Sequence, residues 1–451
     1  MRLLDNPALL AAREQGATVV PVFILDEHLL SQTAPQRKSF MIAGLYELDE
    51  SLQKSGARLI IRKGIPVEQL TQLAAETQAA GIYAEEDYSP YARQRDADVA
   101  SHLLLSLITG VTVHHPAAVV KADGSPYTIF TPFSRAWKAL PMPKPSAVQL
   151  PPFPVLPELA SFPLPMRASL AGFPAGEAEA LRRLRIFLQG AVEDYMEGRN
   201  RLEIEGTSSL SPYFRFGMLS ARLAAAEVQQ AAAAATNTAA LQSCETWLNE
   251  LIWREFYCAV LYHFPYVLKT AFNPALRNIR WRTAPEDLRA WKEGRTGFPA
   301  VDAGMRQLST TGWMHNRARM ITASFLVKDL LINWQEGEAW FLWNLLDGDP
   351  AANNGGWQWT AGVGTDAAPY FRVFNPTLQA QKFDPSGAYI RRWLPELRHV
   401  PDTFIHEPWK MPTELQRSTF CRIGVDYPAP IVDHALARER AILAFRAAAG
   451  K

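Results

Sequence analysis

The first 140 residues alternate between short apolar runs and longer amphipathic stretches. The apolar runs are predicted to be buried strands, and they cover residues 18–25, 57–64, 81–87 and 110–115. The stretches between them carry apolar residues at helical spacing. Strand–helix alternation of this kind predicts a doubly wound parallel sheet in an α/β domain. No Gly-x-Gly-x-x-Gly motif follows these strands, so the usual dinucleotide fingerprint is absent.

A proline-rich segment follows this domain. Residues 141–165 hold nine prolines, which neither a helix interior nor a central strand tolerates. From about residue 176 the apolar positions recur at helical spacing, and strand signals nearly vanish. We therefore predict an α/β domain over residues 1–140, a linker over 141–175 and a larger all-helical domain over 176–451.

Composition and cysteine usage narrow the class of protein. The chain is 48% hydrophobic with a net charge of +1, so a polyanionic partner would have to meet a local basic patch. Its three cysteines form no Cys-x-x-Cys pair, which argues against a disulfide framework or a zinc knuckle. "MRLLDNPALL" resembles no signal peptide, and no run of about 18 apolar residues predicts a membrane helix. We expect a cytoplasmic monomer without a membrane partner.

The stretch "EGTSSLSPYFRFGMLS" places hydroxyl groups at the start of a predicted helix. Side chains of this kind, with the free backbone N–H groups of a helix N-terminus, can hold a phosphate without a lysine. The hydroxyl-bearing residues are Thr207, Ser208, Ser209 and Ser211. An N-cap followed by a serine-rich turn explains the same pattern, and the motif alone does not decide between the two.

The helix predicted over 247–257 has Trp247, Glu250 and Arg254 on one face, with Trp253 beside Glu250. A carboxyl group next to indoles in an apolar site should have a raised pKa and could donate a hydrogen bond. The alternative is an amphipathic helix with a structural Glu–Arg pair.

The stretch "GWMHNRARM" places Trp313, Asn316, Arg317 and Met320 on one side of a helix. An amide could bind a heteroaromatic edge and an arginine could bind a phosphate, although core packing and an ion pair explain the pattern equally. His315 is expected to be an ordinary structural histidine. No cluster has metal-ligand spacing, and we expect no metal.

The run "LLDGDPAANNGGWQW" over 345–359 combines acids, amides, glycines and indoles. Trp253 and Trp359 could stack on bases, and the amide of Asn353 suits a flavin edge. Asp347 and Asp349 could bind ribose hydroxyls or a guanidinium. The paired glycines let the backbone approach a planar ligand.

These four motifs, in this order, resemble the photolyase/cryptochrome family, and most of all the class I cyclobutane pyrimidine dimer photolyases. The likeness covers nearly the whole chain and is densest over 195–400. It implies a U-shaped FAD in the helical domain and UV-damaged DNA as the partner. It also implies light-driven repair, in which excited, reduced FAD passes one electron to the dimer and regains it after the ring opens.

The resemblance assigns roles by position. The implied FAD-binding residues are Tyr195, Thr207, Ser208, Ser209, Leu210, Ser211, Asn316, Arg319, Asp347, Gly348, Asp349 and Asn353. Arg319 is expected to pair with Asp347, and Asn353 to lie at flavin N5. The residues implied around the flipped-out dimer or the DNA are Arg199, Glu250, Trp253, Arg254, Asn316, Arg317, Met320, Trp359 and Gln379. The implied electron-hopping chain is Trp281, Trp334 and Trp357. Glu250 and Asn353 complete the expected catalytic set.

Three residues favour dimer repair over other branches of the family. Six-four photolyases carry histidines where this chain has Asn316 and Met320, and signalling cryptochromes usually replace the amide at Asn353. The chain also lacks a long polar C-terminal extension. A blue-light-sensing, cryptochrome-like flavoprotein is the alternative.

The family begins with a central strand that this chain lacks, through either a misplaced start site or a truncation. We therefore expect the first strand to be missing from the sheet. A second, antenna chromophore would be 8-hydroxy-deazaflavin or methenyltetrahydrofolate. Arg215 and the stretch "DYSPYARQRD" resemble the corresponding residues of deazaflavin-binding relatives, which favours the deazaflavin.

Overall fold

The computed structural model describes residues 1–16, 18–146, 158–168, 170 and 172–450, so the predicted linker lies partly outside the described residues. The strands are β1 (Val22–Leu25), β2 (Ile60–Lys63), β3 (Ile82–Glu85) and β4 (Leu105–Ile108). The α-helices are α1 (Pro7–Gln15), α2 (Glu27–Ser31), α3 (Pro35–Lys54), α4 (Pro66–Thr77), α5 (Pro90–Ala100), α6 (Phe130–Ala139), α7 (Glu177–Leu188), α8 (Tyr195–Gly198), α9 (Ser211–Arg215), α10 (Ala221–Ala233), α11 (Thr238–His263), α12 (Pro285–Glu293), α13 (Pro299–Thr311), α14 (Asn316–Ser324), α15 (Trp334–Asn344), α16 (Pro350–Ala361), α17 (Pro376–Phe383), α18 (Ala388–Trp393), α19 (Thr413–Ser418) and α20 (His434–Ala448).

The four strands form two parallel pairs rather than one continuous sheet. β1 pairs with β2, with Val22 opposite Ile60, and β3 pairs with β4, with Ile82 opposite Leu105. The predicted combination of an α/β part and a larger helical part is confirmed.

The fourth strand lies earlier in the chain than the sequence predicts. The prediction placed it at 110–115, whereas β4 ends at Ile108. Residues 111–114 form bends, and their backbone groups bind side chains of α11 instead of a neighbouring strand. Both segments contain apolar residues, and 110–115 is the richer in β-branched ones, so the pattern alone favoured the wrong segment.

The described chain forms two compact units. Unit 1 comprises Met1–Glu193 and Ser208–Pro265, and unit 2 comprises Asp194–Thr207 and Tyr266–Lys451. All four strands belong to unit 1, as does α11, the 26-residue helix. Unit 2 contains α8 and α12–α20. The limits predicted at residues 140 and 176 stay a prediction.

Each unit has its own apolar core. In unit 1 the side chains of Leu45 and Leu52 on α3 pack with Ile61 on β2, and each is at most 2% exposed. The core of unit 2 includes Leu308 on α13 and Trp357 on α16. None of the described helices combines the length and apolar character that a membrane span requires.

Capping residues set the ends of two helices that hold candidate site residues. Asn237 caps α11, and its Oδ1 accepts a hydrogen bond from a backbone N–H three residues later at 2.9 Å. Asp349 caps α16, and its Oδ1 accepts from the N–H groups of the two alanines after Pro350, each at 2.9 Å. Gly362 ends α16 in the left-handed conformation, at φ 79°. These caps favour the helix although it contains two adjacent glycines.

Candidate functional site

Helix α11 carries the predicted dimer-binding residues of unit 1. Glu250 and Trp253 lie three residues apart, so they share one stretch of the helix surface, and both side chains are half-buried. Arg254 follows, and its Nη1 donates a hydrogen bond to the backbone oxygen of Val111 at 2.8 Å. This predicted DNA-proximal arginine therefore also fastens α11 to residues 110–115.

The serine-rich segment lies against the same helix. Trp247 Nε1 donates to Ser208 Oγ at 3.2 Å. Ser209 has φ 50°, in the left-handed region that residues other than glycine rarely occupy. Leu210 is buried, and Ser211 begins α9. The role of the hydroxyl groups in holding a phosphate stays a prediction.

A buried carboxylate on α11, Glu255, was not predicted from the sequence. It accepts hydrogen bonds from the backbone N–H of Val113 at 2.5 Å, from Trp137 Nε1 at 2.6 Å and from the backbone N–H of His114 at 3.3 Å. Burial raises the pKa of Glu255, and the three donors act in the opposite direction. The sequence does show a glutamate among the apolar positions of one helical face, and this pattern indicates a buried carboxyl group. Glu255 anchors the helix on which Glu250 and Trp253 lie.

Trp253 is stacked on a second ring that the sequence analysis also missed. The rings of Trp253 and Phe130 are nearly parallel, at 4°, with centroids 3.7 Å apart. Phe130 begins α6 and comes from a distant part of the chain. The edge of Phe256, which is fully buried, meets Trp253 at 5.6 Å. One face of the predicted base-stacking indole is therefore covered within unit 1.

In unit 2, two of the predicted DNA-proximal arginines form a basic patch. Arg317 Nη2 donates to Asn200 Oδ1 at 2.5 Å, and its guanidinium lies 4.2 Å from the ring centroid of Phe383. Arg199 lies over the ring of Tyr195, at 5.7 Å. Burial, and then the charge of Arg199, lowers the pKa of Arg317 to about 10. The chain carries little net charge, so it can attract a phosphate backbone only through a local concentration of positive charge.

Helix α14 brings the predicted branch-determining residues together. Asn316 is exposed at its start, and its Nδ2 lies 3.9 Å from Met320 Sδ. His315 caps this helix, because its Nδ1 accepts from the N–H of Arg317 at 3.1 Å. Burial lowers the pKa of His315 to about 4, so its imidazole is neutral near pH 7. Its Nε2 is buried and lacks a hydrogen-bond partner in the described part of the chain.

The expected ion pair between Arg319 and Asp347 is present. Arg319 Nη2 and Asp347 Oδ2 are 2.8 Å apart, and Arg319 Nε donates to the backbone oxygen of Met314 at 2.8 Å. The other carboxylate oxygen, Asp347 Oδ1, is buried and has no partner among the described residues. Buried polar atoms normally have a hydrogen-bond partner. A ribose hydroxyl could supply this hydrogen bond. Gly348 and Asp349 follow directly and lead into α16.

Two asparagines on α16 share one glutamate on α15. Asn353 Nδ2 donates to the backbone oxygen of Glu338 at 3.0 Å, and Asn354 Nδ2 donates to Glu338 Oε1 at 2.9 Å. Burial raises the pKa of Glu338 from its ordinary value of 4.5 to about 7. The sequence analysis did not identify Glu338, because nothing in its local pattern indicates burial.

The residues of unit 2 fit the FAD that the resemblance implies. Asp347 offers an acceptor that has no partner, and the bond from Asn353 Nδ2 to Glu338 fixes the orientation of that amide. A Cβ added to Gly356 would meet nothing within 4 Å, so there is open space beside this turn of α16. Within the described chain, no group of three or more His, Cys, Asp and Glu side chains could hold a metal ion.

The predicted electron-transfer tryptophans differ in burial. Trp357 is 2% exposed and Trp334 is 3% exposed, whereas Trp281 is half-buried. Trp357 packs against another buried indole, Trp291, with ring centroids 6.1 Å apart. Trp359 is half-buried, and because two residues span about 200° of a helix, it lies on nearly the opposite side of α16 from Trp357.

The structure thus groups the candidate residues within each unit. Unit 1 holds Ser208, Ser209, Leu210, Ser211, Glu250, Trp253 and Arg254. Unit 2 holds Tyr195, Arg199, Thr207, Trp281, Asn316, Arg317, Arg319, Met320, Trp334, Asp347, Gly348, Asp349, Asn353, Trp357, Trp359 and Gln379, the last half-buried on α17. The roles given to these residues stay predictions.

Two protein-family models match the chain. Residues 1–156 match the model described as DNA photolyase, and residues 247–447 match the FAD binding domain of DNA photolyase. A deoxyribodipyrimidine photo-lyase from Synechococcus is 40% identical, over 98% of this chain and 93% of that protein.

Solved structures agree with these matches. A bacterial class III photolyase from Agrobacterium tumefaciens superimposes with a TM-score of 0.91 at 36% identity, covering 100% of this chain and 96% of the other. A cryptochrome from Synechocystis superimposes with a TM-score of 0.88 at 31% identity, covering 98% and 96%.

Proposed function

This chain belongs to the DNA photolyase family, and on that premise we propose that it repairs cyclobutane pyrimidine dimers in DNA with light. The relatives and the FAD-binding domain identify the enzyme class and the cofactor, FAD. The observation that carries the choice of substrate is the pairing of Glu250 with Trp253 on α11, supported by Glu255 and Phe130. A carboxyl group next to a fixed indole suits a flat, polar-edged ligand such as a pyrimidine dimer.

The proposed dimer site uses the residues of α11 for distinct tasks. The carboxyl group of Glu250 hydrogen-bonds a carbonyl and an imino group of the dimer and stabilises negative charge there, because a half-buried site has a lower dielectric constant than water. Trp253 packs against the ring. The resemblance assigns Met320 and Trp359 to the dimer as well, and the pair Asn316 and Met320 argues against a six-four lesion as the substrate.

DNA binding is proposed to rest on the basic patch around Arg199 and Arg317. Positive charges bind the phosphates, while Gln379 and Arg254 add polar contacts. Extruding the damaged base pair costs less than extruding an intact one, since its pairing is already weakened. Recognition of the lesion therefore combines a local charge pattern with an aromatic pocket.

The residues proposed to hold FAD are the hydroxyl-bearing segment, for the phosphates, and Asp347, for a ribose hydroxyl. Asn353 would contact the flavin ring and favour its reduced state. When bound, FAD supplies the light-excited electron. Trp357, Trp334 and Trp281 are proposed to form a path for electrons from the surface, in line with their increasing exposure.

A blue-light sensor of the cryptochrome type is the second candidate, and the superposition with the Synechocystis cryptochrome supports it. The two candidates differ in whether a dimer is split. We would illuminate the full chain, loaded with reduced FAD, together with oligonucleotides that carry either one cyclobutane thymine dimer or one six-four lesion, and keep dark controls.

Loss of the dimer alone, and only in the light, is the expected result. Repair of the six-four lesion would contradict the substrate assignment. If a parallel sample with oxidised FAD photoreduces while neither lesion is lost, the sensor is favoured. A deazaflavin or folate antenna would extend the active wavelengths without changing the lesion that is repaired.

A further inference from the structure

The stack of Phe130 on Trp253 has a geometry that aromatic pairs seldom adopt unaided. Ring quadrupoles favour offset or edge-to-face arrangements with centroids 4.5–7 Å apart. Here the planes differ by 4° and the centroids are 3.7 Å apart, which is a face-to-face sandwich. Surrounding side chains must hold the two rings in this arrangement.

Two buried phenylalanines provide that support. The edge of Phe256 meets both members of the stack, Trp253 at 5.6 Å and Phe130 at 6.0 Å, with interplanar angles of 82° and 79°. Phe133 packs on Phe256 at 5.2 Å from the next turn of α6. Phe256 and Phe133 are at most 1% exposed, so they form a rigid base beneath the stack.

These contacts determine which face of the Trp253 indole a ligand can reach. Phe130 covers one face of the indole, the ring of Phe256 packs nearly perpendicular to it, and the side chain is half-buried. The ring of Tyr257 also lies near the indole, with centroids 5.6 Å apart and planes 36° apart. A stacked base would have to use the face opposite Phe130. Glu250 lies one helical turn before Trp253, so a base on that face would be close to a carboxyl group that can bind its edge.

We propose that Phe130 is a positioning residue, which holds Trp253 so that one face of the indole receives the flipped-out pyrimidine dimer. This inference rests on the proposed function and adds a specificity determinant from α6, outside the helices to which the dimer site was assigned. A fixed indole binds a base more tightly than a mobile one, because less side-chain entropy is lost when the base stacks.

The test is lesion binding in the dark by the FAD-loaded full chain, with two matched variants on α6. Phe130→Leu removes the ring that covers Trp253. Phe133→Leu removes a ring of the same size from the same helix. That ring packs on Phe256 and is not one of the two stacked rings. Phe130→Tyr keeps an aromatic face. Affinity is measured for one single-stranded oligonucleotide with and without a cyclobutane thymine dimer, alongside flavin content and the melting temperature.

The expected result for Phe130→Leu is a loss of preference for the lesion of roughly fivefold or more, near the lower end of what one lost stacked base costs. Affinity for undamaged DNA and the flavin content stay unchanged, and Phe130→Tyr restores the preference. Phe133 packs on Phe256, one ring removed from the stack, so Phe133→Leu lowers the melting temperature and reduces the preference less than Phe130→Leu does.

Three outcomes would overturn the inference. Unchanged preference in Phe130→Leu would mean that Trp253 needs no support, while the proposed function stands. Tighter lesion binding in that variant would mean that Phe130 occupies the place of the base. If the unmodified chain itself shows no preference for the lesion, the proposed function fails, and this inference fails with it.

Discussion

At the residue scale, Glu338 is the side chain whose surroundings are hardest to predict from the sequence. Burial raises the pKa of its carboxyl group to about 7, against 4.5 ordinarily. The folded protein therefore binds this proton more tightly than the unfolded chain does. The resulting contribution to stability is complete below about pH 4.5 and is lost as the pH rises to about 7.

Replacing Glu338 with Gln should remove this pH dependence. Each pKa unit corresponds to about 1.4 kcal/mol, so Glu338→Gln should gain about 2–3 kcal/mol in free energy of unfolding relative to the parent between pH 5 and pH 8. Gln keeps an acceptor for Asn354 Nδ2. Urea unfolding at both pH values measures the difference.

The control is Glu336→Gln, an exposed position on the same helix. It should leave the pH dependence of stability as it is in the parent. Parallel pH profiles for the parent and Glu338→Gln would contradict the burial of an ionisable carboxyl group at this position.

Predictions about single residues succeeded where the residue belongs to a motif that resembles a known family. The resemblance led to the pair of Arg319 with Asp347, which is present in the structure. Glu338, Glu255 and Phe130 were missed. Their environments depend on neighbours that are distant in sequence. The place of Glu255 among apolar helical positions indicates burial, but nothing in the sequence indicates which groups it contacts.

At the element scale, α11 is held in place by one carboxylate. Glu255 accepts hydrogen bonds from two backbone N–H groups of residues 113–114 and from the indole of Trp137. Replacing it with Ala would leave three buried donors without an acceptor, and each such donor costs about 1–3 kcal/mol.

We therefore expect Glu255→Ala to lose at least about 3 kcal/mol in free energy of unfolding, measured by urea denaturation. Glu245→Ala, at an exposed position on the same helix, should change stability by less than about 0.5 kcal/mol. Equal stability of the two variants would show that α11 does not depend on this anchor.

The same contacts explain why one strand was predicted in the wrong place. Residues 110–115 have the alternating, β-branched pattern of a strand, but their backbone groups bind Arg254 and Glu255. The ladder to β3 is formed by 105–108 instead. Sequence periodicity indicates which segments are apolar, whereas the choice of partner depends on tertiary contacts.

At the scale of the whole molecule, strand–helix alternation and helical periodicity were enough to predict an α/β part followed by a larger helical part. The grouping of residues 208–265 with the α/β part was not predictable in this way. That grouping depends on long-range hydrogen bonds of α11, such as the one from Arg254 to Val111.

The proposed electron path predicts that photoreduction and repair can be separated. Trp281→Phe removes the half-buried end of the path, so photoreduction of oxidised FAD should slow roughly tenfold or more, a barrier change of about 1.4 kcal/mol. Repair by chemically reduced enzyme should be unaffected. Flavin absorbance during illumination and lesion assays measure the two activities.

Trp343→Phe is the matched control, since Trp343 is 42% exposed and is not assigned to the path. Its photoreduction rate should equal that of the parent. If both variants slow equally, the path does not run through Trp281.

The most direct test of the central claim is anaerobic, multiple-turnover repair of a thymine-dimer oligonucleotide, with flavin absorbance followed in the same sample. We predict that each enzyme molecule splits many dimers in blue light while the reduced flavin spectrum is unchanged. Glu250→Ala should repair on the order of a hundredfold more slowly, as expected when a charge-stabilising donor is lost, and Glu245→Ala should match the parent. Flavin oxidation in proportion to the dimers split, or no repair in any light, would contradict the account.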